Sequence, residues 1–517
     1  MRRRIFGFLW LALAVSPLPA GEPIFRETFE APSALDAWNI NGAGQAEVIK
    51  EGDSHWLRVH LDAHGDQLAT RSLPVEQLRG KLWTLSARVK AQDVVKATEP
   101  WHGVKIMWKV TTPRGDEYPG VPELHDTFGE KRVGVDAQIP DDATEVRVFL
   151  GLGEARGTTW IDDVEVTLAS APRVRPSPQP TLLPPEKLDR RSELPRLRGV
   201  MYGPHGKEKD IRALAEWGGN LIRWQFYDYG GTFPEKRLDL ARYDRWLDEI
   251  IAEVDRALPL CRELGIRLVI DLHSPPGGMD AGQMAIFKDA ACQQKFIEVW
   301  DKLARHYRDE PTVWAYDLLN EPAEGLVAPG LMNWRTLAEH VARRIRAVDE
   351  KHGIIFEPGP HGGWKNLEYY EPLPLPGIIY SVHVYDPLKF THQGVFNFAP
   401  LGVSYPGEVD GVYWDRDHLR KILEPVRDYQ KDYNVPIYVG EFSAARWAPD
   451  GSAARYLSDC IAIFEEYGWD WTYHAFREWQ GWSLEIGEDF ANESPAPTPT
   501  ERAKLMRKAF EANTTGR

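Results

Sequence analysis

The sequence predicts two domains, an all-β sandwich over residues 22–168 and an α/β domain, a (β/α)8 TIM barrel, over residues 195–517. Short runs of alternating apolar and polar residues, separated by turn residues, dominate the first region. Strand-like and helix-like segments alternate through the second region. The length of 517 residues also exceeds that of one average domain. These observations together favour a two-domain chain of mixed fold class.

Residues 1–20 have the pattern of a signal peptide. Residues 2–4 are arginines, the apolar run 5–15 is too short to span a bilayer, and Ala20 offers a small residue at a plausible cleavage point. No later apolar segment reaches membrane-spanning length. We therefore expect an exported protein, either secreted or periplasmic.

Charge and cysteine content exclude several classes of protein. The formal net charge of −15 disfavours nucleic acid or a membrane surface as partner and is compatible with a neutral polysaccharide. The three cysteines are an odd number without tight spacing, which argues against a disulfide framework or a zinc site. We expect buried free thiols at Cys261, Cys292 and Cys460.

The first domain shows period-two alternation, as an antiparallel sandwich requires. Clear examples are the runs 56–61, 82–89, 104–110 and 145–150. The end segments, residues 25–30 and 159–166, resemble the first and last strands of jelly-roll carbohydrate-binding modules. That resemblance implies a jelly-roll sandwich domain that could bind glycan.

Two alternatives are open in this domain. Asp162 and Asp163 could join Glu27 in a structural calcium site, or they could be hydrogen-bonded turn residues. Trp101 and Trp108 could form a sugar platform, or they could pack in the core.

Residues 169–194 form a proline-rich linker between the two domains, since so many prolines favour an extended spacer. Beyond it, eight strand-like segments are followed by amphipathic stretches, which is the pattern of a (β/α)8 barrel. The predicted strands end near Tyr202, Trp224, His273, Glu321, Pro358, Tyr385, Glu441 and Phe476. The predicted helices span 207–217, 241–264, 289–308, 331–351, a brief segment 364–370, 415–433, 452–467 and 498–512.

The residues at the strand ends indicate the chemistry, because active sites of such barrels lie at that face. Two glutamates end apolar runs, Glu321 in an Asn-Glu-Pro sequence and Glu441 in a Gly-Glu-Phe sequence. A pair of carboxylates about 5–5.5 Å apart is what retaining glycoside hydrolysis requires. The other polar residues at strand ends are Arg223, His273, Asn320, His383 and Tyr385.

This ordered set resembles glycoside hydrolase family 5, a cellulase-like family whose carboxylates lie on the fourth and seventh strands. The resemblance implies that Glu321 is the acid and base and that Glu441 is the nucleophile. Arg223 and the hydroxyl of Tyr385 would keep Glu441 ionised and aim its oxygen. Partial burial and the charge of Glu441 would favour the protonated form of Glu321.

The remaining residues have binding roles in this interpretation. Asn320 would donate to the sugar 2-hydroxyl, and His273 and His383 would bind hydroxyls or hold the carboxylates. Each could also be a structural residue, as could Glu357 and Asp271. The chemistry needs no metal and no cofactor.

The eighth strand departs from the family pattern. Many members carry a tryptophan there that stacks on the sugar, whereas this sequence places His474 near that position. Trp479 or Trp482, in the following loop, could supply the stacking ring instead.

The sequence thus predicts an exported, retaining glycoside hydrolase that cleaves β-glycosidic bonds in a polysaccharide or oligosaccharide. Internal cleavage of β-1,4-glucan or β-mannan is the first expectation. An exo-acting enzyme, a β-1,3-glucan-specific enzyme and a non-catalytic glycan-binding protein are the alternatives.

Overall fold

The computed structural model describes residues 23–168 and 196–513, except 32, 100, 114, 123, 205, 206, 228–238, 281, 397 and 398. The predicted signal peptide, 1–20, and the predicted linker, 169–194, lie outside these described residues. The chain divides into two compact units, residues 1–173 and 174–517. Each unit is described by itself below.

The N-terminal unit consists mostly of β strands, and all the strand pairs are antiparallel. A short helix, α1 (Val75–Leu78), lies between two of the long strands. The strands are β1 (Phe25–Glu27), β2 (Asn39–Gly42), β3 (Gln45–Glu51), β4 (Ser54–Ser72), β5 (Lys81–Lys96), β6 (Gly103–Thr112), β7 (Gly115–Glu117), β8 (Asp126–Ile139) and β9 (Glu145–Leu168).

Several runs that the sequence predicts as separate short strands are joined in long strands. The runs 145–150 and 159–166 are both parts of β9, which is 24 residues long. Glycines inside β9 make this possible, because Gly151 and Gly157 adopt positive φ angles of 136° and 120° and let the strand bend without ending. The strand β9 therefore pairs with β6 along its first half and with β5 along its second half.

The structure distinguishes between the two interpretations of Glu27, Asp162 and Asp163, a calcium site or hydrogen-bonded turn residues. Arg88 contacts both Asp162 and Asp163, with 2.9 Å between its Nε and Asp163 Oδ2. Glu27 pairs with Arg71, with 3.2 Å between Oε2 and Nη1. The two aspartates lie within β9 and not in a turn. The three carboxylates are thus partners of arginines and do not converge on one calcium position.

The two tryptophans differ sharply in exposure. Trp108 is fully buried, and its indole nitrogen donates to the carbonyl of Val135 at 3.0 Å. Trp101 is 43% exposed. Trp108 is therefore a core residue, and the two rings do not form a shared sugar platform.

The C-terminal unit contains a closed barrel of eight parallel strands, which confirms the predicted fold class. Two short hairpins, β13–β14 (Met279–Asp280 and Gln283–Met284) and β18–β19 (Gly407–Val409 and Val412–Trp414), lie outside the barrel. The barrel strands in order are β10 (Arg198–Tyr202), β11 (Leu221–Gln225), β12 (Arg267–Asp271), β15 (Val313–Asp317), β16 (Gly353–Phe356), β17 (Ile378–Val384), β20 (Ile437–Phe442) and β21 (Asp470–Tyr473).

Most helices of this unit lie where the amphipathic stretches predict them, and the short helix Leu388–Thr391 has no predicted counterpart. Side chains that accept from a backbone N–H begin several of them, as Asp239 does from Arg242 at 2.9 Å. Glycines in the left-handed conformation, Gly265 and Gly468, end two of the helices. They are α2 (Glu208–Glu216), α3 (Leu240–Leu264), α4 (Ala290–Tyr307), α5 (Trp334–Arg346), α6 (Trp364–Leu367), α7 (Leu388–Thr391), α8 (Arg416–Tyr433), α9 (Ser452–Tyr467) and α10 (Glu501–Glu511).

Two apolar layers stabilise the barrel. A large buried cluster fills the space between strands and helices and includes Cys261, Cys292 and Cys460 as free thiols. A smaller buried cluster consists of Leu197, Leu221, Val269, Trp314, Ala315, Ile355, Ile379 and Tyr438. Among the described residues, the helices include none with the length and apolar character needed to cross a bilayer.

Candidate active site

The period of the strands places a layer of charged residues directly beyond the smaller apolar cluster. Side chains two residues apart on a strand point to the same face, so a residue two positions after an apolar cluster residue lies in the next layer. Four strands place a charged residue there, nearer to their C-terminal ends. The pairs are Leu221 and Arg223, Val269 and Asp271, Ala315 and Asp317, and Ile355 and Glu357.

Arg223 is the centre of this charged layer. Its side chain is fully buried, and its Nε donates to Asp317 Oδ2 at 2.8 Å. The two terminal nitrogens donate to Glu441 Oε1 and to Glu357 Oε1, both at 2.8 Å. Asp271 Oδ1 lies 3.2 Å from the guanidinium. One buried cation thus positions carboxylates from four other strands.

The carboxylates around Arg223 differ in the direction of their pKa shifts. Burial and the charges of Glu357 and Asp271 raise the pKa of Asp317 well above its usual range, against the opposing charge of Arg223. Burial also acts on Glu357, but the charges of His383 and Arg223 lower its pKa. The pKa shifts of Asp317 and Glu357 are therefore opposite in direction, because Glu357 faces two cations and Asp317 faces one.

The two predicted catalytic glutamates meet across this layer. One side-chain ligand atom each of Glu321, His383 and Glu441 lies within 4.8 Å of the others. The retaining geometry places the two carboxyl groups about 5–5.5 Å apart, whereas the inverting geometry needs about 6.5–9.5 Å. The separation of Glu321 and Glu441 therefore matches direct attack by an enzyme carboxylate on the sugar.

Glu441 lies in a buried pocket of hydrogen-bond donors. Its side chain is 5% exposed, and the hydroxyl of Tyr385 donates to Oε2 at 2.7 Å. His474 Nδ1 lies 3.2 Å from the same oxygen. Burial alone would raise the pKa of Glu441, but the charges of His383, His474 and Arg223 hold that pKa well below its ordinary value. Glu441 is consequently an ionised carboxylate with both oxygens held.

Glu321 lies in a more open position. Its side chain is 34% exposed, and Oε1 is 2.9 Å from His383 Nδ1. The residue has a positive φ of 46°, and its backbone N–H donates to Glu357 Oε2 at 2.8 Å. The contact with Glu357 holds the backbone in a conformation that residues other than glycine adopt uncommonly. Glu357 thereby fixes where the Glu321 carboxyl points.

His383 joins three carboxylates. Its Nε2 lies 3.1 Å from Glu357 Oε1, on the side of the ring opposite to the Glu321 contact. Burial lowers the pKa of His383, but the charges of Glu357 and Glu441 and the hydrogen bonds to Glu321 and Glu357 raise it well above the usual value. We infer an imidazolium that donates from both nitrogens.

Two further predicted site residues, Asn320 and His273, each have a polar group that can bind a ligand. Asn320 Oδ1 accepts from Arg223 Nη2 at 3.1 Å, and since Arg223 only donates, the amide nitrogen of Asn320 is the group left to donate elsewhere. His273 Nδ1 lies 2.8 Å from Asp271 Oδ2, and the His273 side chain is 16% exposed. Both arrangements suit hydrogen bonding to sugar hydroxyls.

The loop after the eighth strand contributes aromatic residues of two kinds. Trp482 is 7% exposed and stacks behind Tyr385, with ring centroids 5.3 Å apart, so it supports that tyrosine and offers little surface to a sugar. Trp479 is half-buried, and its ring meets Trp482 edge-on at 4.6 Å. His474 lies in the pocket of Glu441, with Nδ1 2.8 Å from the Tyr385 hydroxyl oxygen. Trp479 is therefore the more accessible ring of the two.

Sequence reasoning missed the parts played by three acidic residues. Asp317 and Glu357 end apolar strands just as the recognised residues do, so their position was the available signal. Glu357 was weighed only as a structural residue, yet it contacts Arg223, His383 and the backbone of Glu321. Glu478 lies 3.9 Å from His474 Nε2 and lacked any signal beyond its spacing of four residues from that histidine.

Comparisons with known proteins agree with this geometry. The sequence model of a family described as cellulase, glycosyl hydrolase family 5, matches residues 188–480, a span that contains Glu321 and Glu441. Endoglucanase C of Acetivibrio thermocellus is 27% identical over 295 residues, covering 52% of this chain and 83% of that protein. Cellodextrinase A of Ruminococcus flavefaciens is 24% identical over 274 residues, covering 51% of this chain and 76% of that protein.

A solved structure also resembles the chain. The crystal structure of endoglucanase Cel5A from Thermotoga maritima aligns with a TM-score of 0.46 and 24% identity, over 61% of this chain and 96% of that one.

Proposed function

Because the chain belongs to glycosyl hydrolase family 5 and is a retaining glycoside hydrolase, we propose that it cleaves β-1,4-glucan internally, with Glu441 as nucleophile and Glu321 as acid and base. The observation that carries the proposal is the distance of at most 4.8 Å between side-chain oxygens of these two glutamates. At that separation, one carboxyl can attack the anomeric carbon while the other protonates the leaving oxygen.

In the first step, an oxygen of Glu441 attacks the anomeric carbon and forms a glycosyl ester. The bond from that carbon to the leaving oxygen breaks, and Glu321 transfers its proton to that oxygen. Arg223 and Tyr385 keep Glu441 ionised before the attack, because each stabilises its negative charge by a hydrogen bond. His383 holds Oε1 of Glu321, which leaves Oε2 as the oxygen that carries the proton.

In the second step, Glu321 acts as a base. It takes a proton from a water molecule whose oxygen attacks the anomeric carbon, and the ester bond to Glu441 breaks. Glu441 becomes a carboxylate again, and Glu321 is protonated for the next cycle. Two inversions at one carbon leave the anomeric configuration of the product unchanged.

Other strand-end residues bind the substrate in this proposal. The amide nitrogen of Asn320 donates to the sugar 2-hydroxyl, an interaction that strengthens as positive charge develops on the ring. His273, oriented by Asp271, binds a hydroxyl of the same or a neighbouring sugar. Trp479 provides an aromatic face for a sugar ring.

The names of the relatives support the choice of glucan. Endoglucanase C and cellodextrinase A are named for action on glucans, and their sequence similarity covers about half of this chain. The cellodextrinase keeps short oligosaccharides and an exo-acting mode as the alternative. The acidic net charge of −15 disfavours binding to nucleic acid or to a membrane surface.

A panel of soluble substrates tests the proposal. We expect a rapid fall in the viscosity of a β-1,4-glucan with slow release of reducing ends, since internal cuts shorten chains before they release sugars. Activity only on β-mannan, only on β-1,3-glucan or only from chain ends would contradict the proposed substrate or mode. Proton NMR of the first product tests retention.

Azide identifies the roles of the two glutamates. Azide should rescue Glu321→Ala and give a β-glycosyl azide, whereas rescue of Glu441→Gly should give an α-glycosyl azide, because only the first variant still forms the ester. The surface variant Glu339→Gln is the matched control and should behave as the parent. The same product from both glutamate variants would overturn the assignment.

Export and glycan binding by the first domain complete the proposal. The basic and apolar pattern of residues 1–20 supports cleavage by a signal peptidase. N-terminal sequencing of protein recovered from outside the cytoplasm should find residues 1–20 removed. Retention of the full chain on insoluble cellulose under conditions that inhibit hydrolysis, and its loss when residues 22–168 are deleted, tests the binding role.

A further inference from the structure

Glu478 is a buried carboxylate that the proposed mechanism leaves unused. Its side chain is 7% exposed, and Oε1 has no hydrogen-bond partner within the described part of the chain. Oε2 is 3.0 Å from the backbone nitrogen of Arg477, which donates to it. The Arg477 guanidinium forms ion pairs with Asp210 and Glu485 instead. The unpartnered oxygen of Glu478 therefore requires another explanation.

This oxygen faces the ring of His474. His474 Nε2 lies 3.9 Å from Glu478 Oε1, while Nδ1 on the other side of the ring faces Tyr385 and Glu441. The ring thus stands between the nucleophile and a second, buried carboxylate. Trp482 packs edge-on against the ring, with centroids 4.8 Å apart, and keeps it in place.

Hydrogen bonding assigns a proton to His474 Nδ1. The hydroxyl of Tyr385 donates its hydrogen to Glu441, so its oxygen can only accept from His474 Nδ1 at 2.8 Å. With Nδ1 protonated, Nε2 is the nitrogen that gains or loses a proton. Glu478 faces that nitrogen.

We propose that Glu478 is a positioning residue that keeps His474 as an imidazolium, and so keeps the extra charged hydrogen bond on Glu441, as the pH rises past neutrality. This inference rests on the proposed role of Glu441 as nucleophile.

The pKa shifts of Glu478 and His474 support this role of Glu478. Burial raises the pKa of Glu478 to about 7, with the His474 charge opposing that rise. Burial lowers the pKa of His474, but the charge and hydrogen bond of Glu441 and the charge of Glu478 raise it. As the pH falls below about 7, Glu478 becomes protonated and loses its influence on the ring. Above neutral pH, Glu478 becomes charged and then favours the protonated ring.

Other titratable groups also act on the two residues, and Glu441 raises the pKa of His474 more than Glu478 does. His392, after α7, is neutral near pH 7, since burial lowers its pKa to about 4. Arg223 opposes protonation of His474. Charged or titratable groups that face Glu478 or His474 are Tyr202, Arg223, Tyr385, His392, Glu441 and Tyr473.

The variant Glu478→Gln tests the proposal, because it keeps the shape and removes the charge. We expect kcat/KM within about twofold of the parent below pH 6, where Glu478 is already neutral, and a loss of about tenfold at pH 8. Histidine NMR on protein labelled in its imidazole rings should show the His474 pKa lowered by about one unit. A uniform loss at all pH values, or an unchanged His474 titration, would overturn the proposal.

Three further variants separate this effect from a structural one. Glu485→Gln, the matched control, removes a carboxylate from the same loop and should leave the pH profile unchanged. Adding Glu478→Gln to His474→Gln should cause no further change in the alkaline limb. Glu478→Asp keeps the charge at a greater distance from His474, so an intermediate profile is expected, and it replaces the Gln variant if that variant does not fold.

The readouts distinguish failure of this inference from failure of the proposed function. If the parent hydrolyses no β-1,4-glucan, the proposed substrate fails. The NMR titration of His474 still tests its coupling to Glu478 in that case, because it requires no turnover.

Discussion

Glu321 and Glu441 are the same residue type at the ends of two strands of one barrel, yet their surroundings differ. The Glu441 side chain is 5% exposed and is held by Arg223, Tyr385 and His474. The Glu321 side chain is 34% exposed, and its carboxyl group contacts His383. The difference suits the opposite tasks that the proposed mechanism gives to these two identical side chains.

The physical cause is the number of donors that each carboxyl group meets. A buried carboxylate is stable only if charges and hydrogen bonds replace its lost hydration. Glu441 has these partners, which suits its proposed role as the attacking anion. Glu321 has fewer side-chain partners and is more exposed, which suits its proposed role as acid and base.

The largest expected effect comes from removing the anion. Glu441→Gln should reduce kcat on the order of 10⁵-fold, because no ester can form, and the loss should be equal for substrates with good and poor leaving groups. Steady-state rates on an oligosaccharide and on a dinitrophenyl glycoside measure this. A loss that shrinks with the better leaving group would show that Glu441 is not the nucleophile.

Removing the proton donor should have a smaller effect that depends on the substrate. Glu321→Gln should reduce kcat/KM by about 10²–10⁴-fold on an oligosaccharide. Formation of the ester from a dinitrophenyl glycoside should be nearly as fast as in the parent, since that leaving group needs no proton. A burst of dinitrophenol followed by slow turnover measures both steps. Equal losses on both substrates would remove the distinction between the two glutamates.

Replacing Arg223 by lysine should weaken the contacts that keep Glu441 ionised, and so reduce the difference between Glu441 and Glu321. In Arg223→Lys the charge stays but the paired hydrogen bonds are lost, and we expect kcat to fall about 10²-fold. Because Arg223 lowers the pKa of Glu441, the variant should raise that pKa and move the acidic limb of kcat/KM to higher pH. The pH profile measures the shift, and an acidic limb at the parent position would contradict the assigned role.

Removing a single hydrogen bond to Glu441 should have the smallest effect on activity. Tyr385→Phe removes one donor from Glu441, so we expect about a tenfold loss of kcat and a slight upward shift of the acidic limb. Tyr467→Phe, in which the altered ring packs against Trp469 outside the site, is the control. A Tyr385 variant with the activity of that control would show that Arg223 and His474 suffice.

The elements of the barrel follow closely from local sequence. The stretch predicted over 452–467 is the helix Ser452–Tyr467, and the stretch predicted over 415–433 begins one residue later, at Arg416. Capping residues such as Asp415 mark these boundaries in the sequence. The first domain was less predictable, because glycines that read as turns let β4 and β9 continue as long bent strands.

Strand-end position, residue type and the family resemblance together selected candidate site residues such as Glu321, Glu441 and Arg223 from the sequence. The alternation of strands and helices determined the barrel, and closure of a parallel barrel brings the strand ends to one face. The sequence could not show which neighbouring groups share charge. The burial of Arg223, the raised pKa of Asp317 and the contacts of Glu357 with three partners depend on distances between residues far apart in the chain. The pairing of Glu478 with His474, four residues apart, depends on how the loop after β21 folds. Only the tertiary structure decides these, because electrostatic coupling falls with distance and grows with burial.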